Sequence, residues 1–145
     1  MSTYQFNEGS ITVADGLADR TMHVLAPKPG AMEFTLLISH DELEPDEDMH
    51  GFVKRQLADL ARQVSKYEEE PWQPVSLGDP RLKVDGLLLT LRYKQQGKFV
   101  FHRQAVFPIP DAKHLLTFTA SLPVPFSPAQ MQQFLDVLRS YVPRG

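Results

Sequence analysis

"LKVDGLLLTLRYKQQGKFVFHRQAVFPIPDAKHLLTFTASL", residues 82–122, decides the fold. It holds three β-type runs: Leu82 to Tyr93, Phe99 to Phe107 and Leu115 to Leu122. "QQGK" predicts a tight turn between the first two, and "PIPDAK" a looser one between the second and third. Strands joined by such short connections pair antiparallel, because a parallel pair needs a long crossover. In the middle run Phe99, Phe101, Arg103, Ala105 and Phe107 share one face, and Val100, His102, Gln104 and Val106 share the other. The second face is half apolar, with an uncharged Gln104 in its middle, which is unusual for a solvated sheet surface.

Upstream, Tyr4 to Phe6 and Ser10 to Val13 read as a hairpin turned at "NEG", and Thr21 to Leu25 as a short strand ended by "APKPG". Glu33 to Ser39, "EFTLLIS", is a further strand, with Phe34, Leu36 and Ile38 on one face and Thr35, Leu37 and Ser39 on the other. The acidic stretch Asp41 to Asp48 suits a helix N-terminus, where free N–H groups attract negative charge. A helix is expected from about Asp48 to Tyr67, since Phe52, Val53, Leu57, Leu60, Ala61 and Val64 recur at helical spacing. Pro71 and Pro74 end it. Val75 to Leu77 is a short strand. After the meander, Ser127 is the expected N-cap and Pro128 the first residue of a closing helix that runs to about Val142.

This order predicts one α+β domain over residues 1–145: an antiparallel β-sheet with two helices packed on one face. The opposite face would then carry Thr35, Leu37, Ser39, Val100, His102, Gln104, Val106, Leu115, Thr117, Thr119 and Ser121, joined by Leu88 and Thr90. It is nearly uncharged and mixes aliphatic side chains with hydroxyls and amides. A face of that kind suits an apolar partner whose backbone still needs hydrogen bonds.

Composition narrows the function. Fifteen Lys plus Arg stand against eighteen Asp plus Glu with no basic cluster, so nucleic acid is not an expected partner. The chain has no Cys, which rules out disulfides, thiolate metal sites and cysteine nucleophiles. "MSTYQFNEGSITV" has neither the basic nor the apolar region of a secretory signal, and no run is long enough to span a membrane. A soluble cytoplasmic protein without stable membrane insertion is expected.

Catalytic arrangements find little support. Ser39, His40 and Asp41 are consecutive, but neighbouring strand residues point to opposite faces while a triad must converge. His23, His40, His50, His102 and His114 form no metal-ligating pair. The acidic stretch lacks calcium-loop spacing, and "GDPRLKVDG" is no phosphate loop. No enzymatic activity, metal or cofactor is expected.

The chain resembles the Eag chaperones of bacterial type VI secretion, a branch of the DcrB-related domains with a Mog1/PsbP-like fold. The resemblance rests on "MSTYQFNEGSITVADGLADRTMHVL", "FTLLISHDEL", "FVKRQLADL", "RQAVF" and the ending "LRSYVPRG", in that order and spacing. It implies a cytoplasmic homodimer whose sheets form a concave surface. That surface would bind and shield the N-terminal transmembrane helices of a cognate prePAAR effector, which is then loaded onto the VgrG spike. By the same resemblance Met22 and Val24 are the aliphatic pair of the groove, and Thr35 and Ser39 supply hydroxyls; Leu37, on the same strand face as these two by alternation, is counted with them. Gln56 and Gln104 supply amides, and Val64 is a further apolar position. Met22 departs from the branched aliphatic usual in the family, and Gln56 lies on the helix rather than on a strand. Two other readings of the residues stay open: a Mog1-like regulator that docks a protein, or a carrier of a small apolar ligand.

Overall fold

The computed structural model of the chain describes residues 1–17, 21–29, 33–109 and 114–143, apart from the Phe6 side chain. Part of the "PIPDAK" turn therefore lies outside the described residues. In chain order the elements are β1 (Ser2–Phe6), β2 (Gly9–Val13), β3 (His23–Leu25), β4 (Thr35–Glu42), α1 (Met49–Gln63), β5 (Ser65–Glu69), β6 (Gln73–Ser76), β7 (Asp85–Gln95), β8 (Lys98–Pro108), β9 (His114–Leu122) and α2 (Pro128–Arg139). β1 and β2 form a separate antiparallel hairpin. The other strands make one antiparallel sheet in the order β3-β4-β9-β8-β7-β5, with β6 also paired to β7.

The expected α+β architecture, antiparallel sheet and two helices are present, but the helices do not share a face. α1 sends Phe52, Val53 and Leu57 onto Leu89, Leu91, Val106 and Leu115. α2 sends Phe134 and Leu138 onto Leu36, Leu88, Ala105, Phe107, Phe118 and Ala120. Ala105 and Val106 are neighbours in β8 and point to opposite sides, so α1 and α2 cover opposite faces of the sheet. The physical reason lies in "GLLLTL". In β7 it places Leu88 on one face and Leu89 and Leu91 on the other, and one layer of helices cannot cover two faces.

The register corrects a second expectation. Leu88 lies opposite Ala105 and Thr90 opposite Arg103, so both belong to the α2 face. Leu89 and Leu91, opposite Gln104 and His102, take their place on the face of α1.

Local signals set the helix starts. The Asp48 carboxylate accepts from the Gly51 N–H at 2.7 Å, and Glu47 is held by Arg55, which donates to it at 2.9 and 3.0 Å. Ser127 and Gln130 form a reciprocal capping box at the start of α2, with Pro128 in its first turn. α1 stops at Gln63, earlier than its apolar spacing suggests, because the chain turns straight into β5. Lys66 takes a left-handed φ of 53°, and the pairing with β7 is irregular between Ser65 and Glu68. That bulge turns Tyr67 toward the α1 core, where it packs half-buried.

Candidate functional site

α1 covers only part of its sheet face. The register sets side chains in rows across that face. One row runs Val24, Leu37, Thr119, Gln104, Leu89. The next runs Thr35, Ser121, His102, Leu91, and a third runs Ser39, Thr117, Val106, Leu87. The β7 end of each row lies under α1 or packs against its cluster. The β3–β4 end is open: Val24 is 58% exposed, and Thr35, Leu37, Ser39 and Ser121 are half-buried.

This arrangement settles the placement of each residue singled out by the sequence. Val24 pairs with Leu37, whereas His23 pairs with Ile38, so Val24 faces the open half and His23 the other side. Met22 lies just before β3 and is 53% exposed. Thr35, Leu37 and Ser39 share the face with Gln104, whose amide donates to Thr119 Oγ1 at 3.2 Å. Gln56 and Val64 lie on or at the end of α1, which flanks the open half on the same face. α1 lies on the same sheet face as the polar rows, not behind the sheet. Val106, an expected member of the half-apolar face, is fully buried beneath α1.

Sequence reading placed Thr119, Ser121 and His102 on this face without singling them out as site residues, and they continue the rows; it missed Tyr93, which pairs with Val100 and which counting outward from the two-residue turn between β7 and β8 would have found. Thr117 is almost fully buried and its Oγ1 has no hydrogen-bond partner, and the same holds for the carbonyl oxygen Oε1 of Gln56. Both sit on the face of α1.

The open half carries no formal charge from Thr35 to Ser39 on β4, or from Thr117 to Ser121 on β9. Asp41 is the first carboxylate further along this face of β4, and it lies within electrostatic reach of Arg55. His102 is held neutral at ordinary pH. Burial lowers its pKa from 6.5 to about 4, and its Nε2 lies 3.4 Å from the Tyr93 hydroxyl, with the two rings perpendicular.

A group that is neutral and buried when folded binds protons more readily when unfolded, so stability falls as pH drops through this window. Between pH 6.5 and about 4, His102 should cost the fold up to about 3 kcal/mol. Urea unfolding at pH 7 and pH 4.5 measures the difference, and His102→Gln should remove most of it.

Among the described residues no group of three or more His, Asp or Glu side chains is placed to hold a metal ion. Among them, too, no helix is long and apolar enough to cross a membrane.

Comparison with curated proteins gives no match. Among solved structures, a Pseudomonas aeruginosa protein of unknown function, PA94, described as a candidate regulator, superposes with a TM-score of 0.64 at 20% identity. The superposition covers 100% of this chain and 98% of that one, and it shows a shared fold. Residues 8–140 match the DcrB family, a span that includes every strand of the large sheet and both helices. The chain therefore belongs to the DcrB family.

Proposed function

We propose that the protein is a cytoplasmic chaperone-adaptor of the Eag kind. Its open sheet face would hold the N-terminal transmembrane helices of a prePAAR effector until the effector joins the VgrG spike. The observation that carries this reading is the uncharged open half beside α1, where Val24 and Leu37 lie among Thr35, Ser39, Ser121 and Gln104 and the exposed Met22 precedes β3.

A transmembrane helix in water exposes apolar surface at a cost of about 25 cal/mol per Å². The aliphatic side chains would cover part of that surface. Helices that pack in membranes present Gly, Ala and Ser, which allow close backbone approach. Hydroxyls at Thr35, Ser39 and Ser121 would meet such a backbone as a neighbouring membrane helix does. The absence of charge matters here, because a buried unpaired charge costs far more than a hydroxyl. One open half is narrow for a helix bundle, and a homodimer would bring two such surfaces to one client.

Co-expression with the product of the adjacent gene tests the reading. A client with apolar N-terminal helices should become soluble and co-purify, with light scattering reporting two copies of this chain. A client that stays insoluble sinks the proposal. Co-purification of a folded partner without apolar helices would favour a protein-docking regulator instead.

A further inference from the structure

The other face of the sheet holds a charged group that the groove does not use. Arg103 lies on β8 among residues that face α2, and it is only 9% exposed. Its Nη1 donates to Thr90 Oγ1 at 3.4 Å and to Met131 Sδ at 3.2 Å, both weak acceptors for a guanidinium. Its Nε is buried with no hydrogen-bond partner among the described residues. Glu70 is near enough to act on it electrostatically, yet the two form no ion pair among the described residues. Arginine stays protonated in proteins, so this is a desolvated cation with spare donors in a planar fork.

The guanidinium also lines open space. A cleft of about 410 Å³ is bounded by Arg103, Thr90, Phe101, Pro125, Phe126 and Met131. A second cleft of about 330 Å³ shares Arg103, Thr90, Met131 and Glu70 with it. The first is within the size range of small-molecule sites, with an apolar wall beside the buried Arg103 and with Glu68, Glu69, Glu70 and Arg92 also in its lining.

We propose that this cleft binds a small amphiphilic monocarboxylate, its carboxylate on the Arg103 fork and its hydrocarbon against Phe101, Phe126 and Met131. The fork matches a carboxylate in two-point geometry. The rim selects against more highly charged anions. Glu68 is paired with Arg92 at 2.7 Å, whereas Glu69 accepts only from the neutral Trp72 Nε1–H at 2.7 Å and Glu70 has no ion-pair partner among the described residues. The two remaining negative charges tolerate a monoanion better than a dianion such as phosphate. The site lies on the face opposite the proposed client groove and does not depend on that reading.

Octanoate is the probe, titrated into the full chain by calorimetry. Saturable binding is expected below about 1 mM, with octanol at least about tenfold weaker and inorganic phosphate unable to compete at about 10 mM. Arg103→Met should weaken octanoate about tenfold or more. The exposed Glu70→Gln change cannot disturb the core and should tighten octanoate several-fold by removing a like charge. Equal binding of octanol and octanoate, no saturable octanoate binding, or a Glu70→Gln protein that binds no better would each overturn the proposal.

Discussion

A Leu37→Glu variant is expected to fold normally and to lose an apolar helical client by about a hundredfold in affinity. Leu37 is half-buried between Val24 and Thr119, near the middle of the open half. In the free protein a carboxylate there can reach water. Under a client it is desolvated, and its neighbours Thr35, Ser39 and Thr119 offer hydroxyls but no cation. Burying an unpaired charge in an interface costs about 2–5 kcal/mol. Leu37→Ala removes only contact and should cost about tenfold or less. The affinity of a client peptide spanning one apolar helix measures both variants, with urea midpoints as the control for folding. A Leu37→Glu protein that retains the client like the parent would remove the open half from the binding surface.

The largest effect on stability is expected at Gly86. This residue is buried in β7 at its pairing with Val75. An added Cβ would overlap the Val106 carbonyl oxygen and lie 2.7 Å from Phe107 Cδ1. Neither neighbour can retreat cheaply, since Val106 and Phe107 are fully buried in the cores on the two faces of the sheet. Gly86→Ala should therefore destabilise the protein by about 3 kcal/mol or more, through overpacking between adjacent strands. Thermal or urea unfolding measures it. Gly9→Ala is the control, because a Cβ there meets nothing within 4 Å.

Much of this structure is legible in the sequence where local chemistry is strong. Asp48 and Ser127 cap the helices that their positions announce, and the breakers around β8 place β8 and β9 within a residue, while β7 starts three residues later than expected, at Asp85. The placement of α1 is harder to read, because "LLLTL" fits a one-sided strand as readily as a two-sided one. The turn holds the missing information. Gln96 and Gly97 take positive φ values of 51° and 80° and pair Gln95 with Lys98. From there Leu89 must meet Gln104 and Leu88 must meet Ala105, which gives both faces of β7 an apolar partner.

β5 resists sequence reading for a different reason. "SKYEE" has one inward side chain, Tyr67, and its strand geometry comes from pairing with β7 at a sheet edge rather than from its own pattern. The site divides in the same way. Residues on regular strands, such as Thr35, Leu37, Ser39 and Gln104, follow from alternation. The cleft around Arg103 depends on how α2 and the Pro125–Phe126 segment cross the sheet, which no local pattern encodes.

The join between α1 and β5 has a mechanical consequence. One residue, Val64, separates the last turn of the helix from an edge strand bonded to β7. The wall beside the open half therefore has no slack. A ligand too wide for the space could not push the helix aside like a hinged door without unzipping β5 from the sheet. If the open half holds a helical client as proposed, the aperture would act as a fixed gauge, admitting or refusing that client by its girth.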